Sequence, residues 1–465
     1  MATPPATSPG RLQSVLGLGF GLAGAVGGTI GAGILRTPGL VAAQLGDPLL
    51  IWAAWIVGGL YALLGAVAVA ELAAALPRAG GWWIYAERAF GKRAGLVTGW
   101  TDWLAHCIGL AWVATTAGDY GAALLPAGLL PTAATWSSKA IALAVIGLFS
   151  LIQLRGVKAG STSQELLSLA KAGAFTMLVV ACFVLHPGTD VGQLAPVTDQ
   201  APIPPAGAAL LLPAVVALQG VITTYDGWAS PVYFAEEFSD PARDLPRSLI
   251  GGVLAVLVLY LLINAGLLRV LPLEVLASSS LPAATAATVL IGSAGGLVIS
   301  VVALVALLGL VNTAIMAAPR ILYGLAEAEL LPLPALAGVN SGGTPAAGLL
   351  LTAASAAVLV LLGSFERLLA MGAVLYVSLP LIGMAALLAL RLQEPSLPRP
   401  FGCWGYPLTP VLIAAGSLAF VLAAVTADPL SSLAALALAL AGAALPASAP
   451  GPAAASGHPP DSPGR

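Results

Sequence analysis

The sequence predicts an all-α polytopic membrane protein, and three observations support that prediction. Of the 465 residues, 59% are hydrophobic and only 8% are charged, whereas soluble domains carry about 25% charged residues. The mean hydropathy is +0.97. The apolar residues form runs long enough to cross a bilayer as helices, which takes about 20 residues. The chain has a net charge of −2 and no basic tract, so no nucleic-acid partner is expected.

Twelve apolar runs set the predicted order of elements. Disordered tails are expected at 1–11 and 446–465, because both are rich in Pro, Gly, Ser and Ala. The first run is too long for a signal-peptide core and is therefore expected to be retained. The predicted spans cover about 12–45, 48–76, 95–125, 136–155, 163–186, 207–237, 247–271, 290–327, 345–363, 366–391, 406–427 and 430–445.

The distribution of basic residues predicts the orientation of the spans. An even number of spans places both termini on the same side. The loops of that side and the two tails hold 13 of the 18 Lys and Arg residues, and the opposite loops hold 3. Cytoplasmic loops are enriched in Lys and Arg, so both termini are predicted to be cytoplasmic. The polar segment Arg78–Arg93 fits either a short helix in the inner interface or a basic loop with aromatic anchors.

Span 1 is predicted to be broken in the segment Gly27–Ile34. Four of the seven residues from Gly27 to Gly33 are glycine, and each costs roughly 1 kcal/mol of helix propensity relative to alanine. The simplest interpretation is two half-helices with an unwound joint. Unwound backbone at membrane depth is tolerated only where protein, water or a ligand satisfies its polar groups. The joint is therefore a candidate binding site.

Span 6 is predicted to carry a second break, within Thr223–Pro231, where Gly227 and Pro231 interrupt the helix. Five spans separate the two breaks, and an odd number inverts the orientation. Interrupted helices at corresponding positions of inverted halves are typical of secondary transporters. Half-helix ends offer N–H groups to a carboxylate and carbonyl groups to an ammonium. This pattern favours an α-amino acid over sugars or inorganic ions.

Several motifs resemble the amino acid–polyamine–organocation (APC) transporters, most closely the L-type amino acid transporter branch and its bacterial relatives. The resemblance extends over about 12–445. The segments that carry it are Thr29–Gly39 in span 1, Glu71–Gly91 in span 2 and the following loop, Tyr225–Trp228 with Asp240–Arg247 in span 6 and its loop, Asn312–Pro345 in span 8 and its loop, and Glu394–Pro407 between spans 10 and 11.

The resemblance implies a LeuT-type fold that works by alternating access. Two inverted five-helix repeats, 12–186 and 207–391, would be followed by two extra helices in 406–445. The backbone of Ile30–Gly33 would face the substrate carboxylate, and Thr223–Asp226 would line the amine and side-chain part. The candidate substrate-binding residues are Thr29, Ile30, Gly31, Ala32, Gly33, Thr223, Thr224, Tyr225, Asp226 and Gly227.

Two positions depart from the family pattern. Ala32 stands where a serine is common, so the carboxylate site lacks that hydroxyl. Thr223 stands where the L-type branch usually has an aromatic gate, so that branch's preference for large neutral substrates is not carried over.

Two charged residues within spans have alternative interpretations. Asp226 either contacts a substrate ammonium or caps a half-helix N-terminus, where the dipole stabilises negative charge. Lys171, placed about seven residues into span 5, either snorkels to the inner interface or lies where sodium-coupled relatives hold Na⁺. The second alternative comes from the resemblance, and it favours proton coupling or plain exchange.

Four uncharged or weakly basic residues have open roles as well. Asn312 either bonds across helices or belongs to the site region. Trp112 and Tyr376 either shape a side-chain pocket or pack normally. His106 either relays protons or is packed and hydrogen-bonded.

The function expected from these features is secondary active amino acid transport across the cell membrane, as an exchanger or a proton-coupled symporter without sodium. The alternatives are a polyamine or organocation permease and a transport-inactive amino acid sensor. An enzyme is disfavoured, because the spans hold no H-E-x-x-H motif and no nucleophile elbow. Three cysteines at metal-incompatible spacing suggest no metal or cofactor.

The expected partners are an amino acid substrate and membrane lipid. Some eukaryotic L-type relatives bind a single-span subunit through a cysteine in the loop between spans 3 and 4. This chain has no cysteine between Pro126 and Trp136, so a partner subunit is not expected.

Overall fold

The computed structural model describes residues 12–31, 33–125, 134–185, 207–363 and 365–445, and these residues fold into helices. Short 3-10 helices occur at Gly207–Leu210, Ser230–Glu237, Pro334–Ala337 and Gly442–Ala444. The α-helices are α1 Leu18–Thr29, α2 Gly33–Leu45, α3 Pro48–Ala75, α4 Trp82–Phe90, α5 Lys92–Leu124, α6 Ala134–Leu154, α7 Val157–Val184, α8 Leu211–Tyr225, α9 Pro241–Val270, α10 Leu273–Ser278, α11 Pro282–Ile291, α12 Ala294–Glu327, α13 Ala346–Leu362, α14 Phe365–Gln393, α15 Leu408–Ala427 and α16 Pro429–Ala441. The expected tails, 1–11 and 446–465, lie outside the described residues.

Each predicted span coincides with one helix or with one interrupted helix. Span 1 is the pair α1 and α2, which meet at an angle of 47°. Span 6 is α8 followed by a turn and the 3-10 helix Ser230–Glu237. Within the described ranges, seven helices are long and apolar enough to cross a membrane, and the bent pair makes an eighth. The chain is therefore an integral membrane protein, and the count of twelve spans stays a prediction.

Span 5 begins earlier than predicted. The chain turns at Gly156, whose φ of +120° suits glycine, and α7 starts at Val157 rather than near 163. Lys171 therefore lies near the middle of a 28-residue helix and is fully buried. The prediction that placed Lys171 seven residues into its helix is wrong, and so is the snorkelling interpretation built on it.

The segment Arg78–Arg93 contains a helix, α4, but not an exposed one. Trp82, Trp83 and Tyr85 are at most 3% exposed, because α4 packs against α5 and α14. The Trp82 Nε1–H donates to the Tyr233 hydroxyl at 3.1 Å. The aromatic side chains of α4 therefore anchor the inner half of span 6 and do not face lipid.

Corresponding helices of the two halves pack on each other. Helix α2 contacts α8, α3 contacts α9, and α5 contacts α12. Small residues permit the close approach: a Cβ on Gly252 of α9 would overlap the Cβ of Ala25 in α1. This pairing brings the broken spans 1 and 6 together in the centre of the molecule.

Candidate functional site

The two breaks cross in direct backbone contact. A Cβ on Gly227 would overlap the carbonyl group of Gly28, and a Cβ on Gly28 would overlap the Gly227 carbonyl oxygen and the Ser230 hydroxyl. Gly227 also has φ +106°, a conformation that L-residues rarely adopt. Glycine is therefore required at both positions for the interrupted spans to meet.

The carbonyl ends of α1 and α8, the first half-helix of each broken span, share one hydrogen-bond donor. The buried Tyr260 hydroxyl of α9 lies 3.2 Å from the carbonyl oxygen of Thr29, the last residue of α1. It lies equally far from the Thr224 oxygen near the end of α8. A hydroxyl donates only one hydrogen. The two carbonyl groups therefore keep acceptor capacity that an ammonium can use.

The amide end of α2 faces the same region. The first four N–H groups of an α-helix lack intrahelical partners and carry the positive end of the helix dipole. In α2 these belong to Gly33 and the next three residues, and Gly33 is exposed. Gly31, just before them, is buried beside Leu310. Ala32 lies outside the described residues. The joint thus places donors opposite the acceptors of α1 and α8.

The threonine hydroxyls of the candidate set are engaged within the helices. Thr29 Oγ1 donates to the Ala25 oxygen at 2.8 Å, and Thr223 Oγ1 donates to the Gln219 oxygen at 2.8 Å. Thr224 Oγ1 lies 2.7 Å from Thr37 Oγ1, which ties α8 to α2. Of these three threonines only Thr223 has an exposed side chain.

Ile30 and Tyr225 contribute backbone groups to the joint, and their side chains point into the core. Both side chains are at most 1% exposed. The Tyr225 ring packs against Trp55 and Tyr260, with centroids 6.1 and 5.0 Å away. An aromatic ring buried in this way shapes the core behind the joint.

Asp226 is the exposed acidic residue of the second break. Its Oδ1 accepts the backbone N–H of Gly227 at 2.9 Å. The carboxylate also interacts electrostatically with His106 and Tyr376. Asp226 is the C-cap residue of α8, and the 3-10 helix that follows begins after Ala229 without a side-chain cap. The interpretation of Asp226 as a cap on a half-helix N-terminus is therefore wrong, and an exposed carboxylate stands at the joint.

Lys171 binds the first break from the side. Its ammonium donates to the carbonyl oxygens of Gly27, Ile30 and Ala306, at 2.5, 3.0 and 3.4 Å. An ammonium has three donor hydrogens, so three carbonyl acceptors match it. Gly309 leaves room for the lysine stem, which a Cβ there would meet. The buried charge lies at the C-terminal, negative end of α1.

Of the remaining predicted residues, Asn312 forms hydrogen bonds between helices, whereas Tyr376 and Trp112 pack against other side chains. Asn312 is fully buried, and its amide accepts from Gln153 and donates to Gln164, both at 2.8 Å. These bonds join α6, α7 and α12, as the cross-helix interpretation requires. Tyr376 lies beside the His106 ring, with centroids 5.6 Å apart, whereas Trp112 packs partly buried among apolar side chains of α5 and its neighbours.

Tyr260 and Asp102 are two residues of the site region that the sequence alone did not single out. Tyr260 bridges the breaks as described, and Asp102 is a fully buried carboxylate beside His106. Signals were present for both: a tyrosine hydroxyl in mid-span needs a partner, and Asp102 and His106 are four residues apart on one helix face.

Comparison with known proteins agrees with this architecture. A family model described as amino acid permease matches residues 12–443. The chain is 29% identical over 422 residues to the serine/threonine exchanger SteT of Bacillus subtilis, covering 90% of this chain and 92% of SteT. It is 27% identical over 428 residues to the human b(0,+)-type amino acid transporter 1, covering 90% and 84%. With the rabbit large neutral amino acids transporter small subunit 2 it shares 29% over 408 residues, covering 85% and 74%.

The match extends over nearly the whole chain, and it confirms the resemblance to APC transporters together with the LeuT-type fold. Both breaks that define the fold are present in the structure. The chain therefore belongs to the amino acid permease family.

Proposed function

We propose that the protein is a secondary active transporter that moves amino acids across the plasma membrane by alternating access, with both termini in the cytoplasm. One observation carries the proposal: the two breaks meet at Gly28 and Gly227 and bring helix ends of both polarities to one place. Amide donors of α2 suit the substrate carboxylate. Carbonyl ends of α1 and α8 suit its ammonium, so recognition of the zwitterion needs few side chains.

The exposure of the joint supports a conformation open toward the outer ends of α2 and α8. Gly33, Thr223 and Asp226 are exposed, whereas Thr29 and Ile30 are buried. On the same side, a cavity of about 320 Å³ is lined by Arg36, Gly39, Leu40, Ala43 and the segment 277–280. The distribution of Lys and Arg supports placing this side at the cell exterior.

The opposite side is closed by charge pairs and main-chain pairing. The Arg320 guanidinium binds the Glu237 carboxylate, and both side chains are at most 1% exposed. The Leu16 N–H donates to the Glu237 carbonyl oxygen at 2.8 Å, and the Ser239 N–H donates to the Leu16 oxygen at 2.9 Å. These contacts tie the chain before α1 to the inner half of span 6. Opening to the cytoplasm then requires both inner half-helices to move together.

Lys171 supports transport without sodium. Its ammonium already supplies a positive charge to the carbonyl oxygens beside the first break. A cation bound there as well would be repelled at close range in a low-dielectric site. We therefore propose exchange or proton-coupled symport. A polyamine substrate is the second candidate, because Asp226 offers an exposed carboxylate to a cation.

The decisive test is transport by the purified chain in sodium-free proteoliposomes. Vesicles loaded with one unlabelled amino acid are mixed with trace labelled substrate, and acidic, neutral and basic amino acids and polyamines compete for uptake. We expect counterflow that depends on the internal amino acid and needs no second subunit. Binding without counterflow would instead identify a sensor. Strict sodium dependence would contradict the assigned role of Lys171. If only polyamines compete for uptake, the substrates are polyamines and not amino acids.

Asp226→Asn is expected to weaken uptake of cationic substrates about tenfold or more, because a hydrogen bond to a charged group contributes roughly 1.5–3 kcal/mol. Asparagine retains a side-chain oxygen that can accept the Gly227 N–H, so the change removes charge and little else. The control is Asp428→Asn at the N-cap of α16, where Asp428 Oδ1 also accepts a backbone N–H, that of Ser431. Equal loss for neutral and cationic substrates would argue that Asp226 only holds the backbone of the turn.

A further inference from the structure

A buried acid and a histidine of α5 contact the inner half of span 6 through Tyr233. Asp102 of α5 is fully buried, and its Oδ1 accepts the Tyr233 hydroxyl at 3.0 Å. His106 Nδ1 lies 3.1 Å from the same Oδ1 and 2.9 Å from the Asp102 carbonyl oxygen. Within the described part of the chain, Asp102 Oδ2 has no hydrogen-bond partner.

These contacts determine which atom of the histidine exchanges a proton. A backbone carbonyl oxygen only accepts, so Nδ1 carries a hydrogen. The proton that the ring gains or loses is therefore the one on Nε2. Asp102 Oδ1 lies beside Nδ1, so the carboxylate is next to the ring that exchanges the proton. A buried carboxylate with one unpartnered oxygen is costly when no positive charge is near, and a proton on the neighbouring ring supplies that charge.

The ionisable groups around the pair come from four elements. Tyr233 belongs to the 3-10 helix, Tyr376 to α14 and Asp226 to the second break, and Cys107 lies next to His106 on α5. The 3-10 helix also carries Glu237, which is neutralised by Arg320. The His106 side chain is 8% exposed and Asp102 is not exposed, so water reaches the pair from the histidine side.

We propose that Asp102 and His106 form a proton-binding site that couples proton movement to the transport cycle, an assignment that rests on the proposed transport function. A hydronium ion that reaches the exposed part of the His106 side chain transfers its proton to Nε2 and leaves a water molecule. Loss of that proton leaves the pair with a net negative charge. Tyr233 then donates to a carboxylate that no imidazolium balances.

Tyr233 links the proton to helix movement. Asp102 is ionised in both states, but the His106 ring and the Tyr233 hydroxyl face the same Oδ1. The bond from Tyr233 to this charged acceptor strengthens when no imidazolium offsets the charge. The charge state of Asp102 and His106 therefore changes how tightly Tyr233, and with it the 3-10 helix Ser230–Glu237, is held against α5. The Trp82 indole extends the chain of contacts to α4 through its bond to the Tyr233 hydroxyl. Proton occupancy thereby acts on the segment that closes the cytoplasmic side.

The test compares gradient-driven uptake with uptake at equal pH in the same proteoliposomes, with a trapped pH dye. If one proton accompanies each substrate, an acid exterior one pH unit below the interior is expected to raise accumulation of a neutral amino acid about tenfold. The dye should report internal acidification on substrate addition. The stimulation factor is the ratio of accumulation with the pH gradient to accumulation at equal pH. His106→Gln and Asp102→Asn should each reduce this factor to about one. The control is His186→Gln, the same substitution at a histidine outside the described residues, and it should leave the stimulation factor unchanged.

Tyr233→Phe distinguishes coupling from simple packing. It leaves the pair intact and removes one donor that stabilises the charged carboxylate, so the midpoint of the pH–uptake profile should move to higher pH. An unchanged midpoint would mean that Tyr233 is structural. A full gradient response in His106→Gln, or no response in the unmodified protein with counterflow intact, would overturn the proton site and leave the amino acid transport function standing.

Discussion

Replacing Lys171 by methionine is expected to reduce amino acid transport by about a hundredfold. The change removes a buried ammonium that bonds Gly27, Ile30 and Ala306. Hydrogen bonds to charged groups contribute roughly 1.5–3 kcal/mol each, and the carbonyl groups left behind remain buried. Methionine keeps an unbranched stem of similar length, so packing changes little. Initial uptake rates in sodium-free proteoliposomes measure the effect.

The matched control is Lys139→Met. The Lys139 ammonium also donates to one carbonyl oxygen, that of Leu361, at 2.9 Å, but in an exposed position. Its removal should change uptake by less than about threefold, since exposed charged contacts contribute 0–1 kcal/mol. Lys171→Arg should not restore transport, because the planar guanidinium does not fit a site built for a compact ammonium. Normal uptake in Lys171→Met would show that the first break is held by other contacts.

Replacing Gly227 by alanine is expected to abolish transport and lower the thermal stability of the detergent-solubilised protein. Two effects act together. A positive φ costs an L-residue roughly 1–3 kcal/mol, and the added Cβ overlaps the Gly28 carbonyl group. The breaks must move apart, which separates the half-helix ends that form the site. Thermal unfolding followed by fluorescence, together with counterflow, measures both consequences.

Two glycines elsewhere separate these effects. Gly173 lies inside α7 in open space, so Gly173→Ala should be neutral or stabilising by up to about 1 kcal/mol. Gly292 has φ +73° but nothing within 4 Å, so Gly292→Ala tests backbone strain without overlap. If Gly227→Ala behaves like Gly292→Ala and transports normally, the contact between the breaks is not essential.

The positions of both breaks could be predicted because they depend on local chemistry. Gly27–Ile34 and Thr223–Pro231 contain residues that lower helix propensity wherever they stand. In the structure α1 ends at Thr29 and α2 begins at Gly33, while α8 ends at Tyr225. Both interruptions lie inside the predicted segments. The apolar runs predicted the spans for the same reason, since hydrophobicity is read along the chain.

The position of Lys171 could not be predicted from the residues near it in the chain. The first turns of α7 are polar and contain Ser161 and Ser163, which is typical of a loop. The sequence therefore predicts a helix start near 163, whereas α7 begins at Val157. That error moved the lysine toward the interface and made snorkelling a reasonable alternative. Contacts with α1 and α12 decide its position, and they join residues more than a hundred positions apart in the chain.

By itself, the sequence determined the membrane class, the helices and the two interruptions, since each depends on residues close together in the chain. Only the tertiary structure decided what meets at the interruptions. It brought Gly28 against Gly227, gave Tyr260 two carbonyl acceptors, and paired Asp102 with Tyr233. These contacts depend on how helices from the two repeats cross, and no local pattern encodes the crossing. The sequence therefore predicts where the two helices are interrupted, and long-range packing brings the interruptions together as a site.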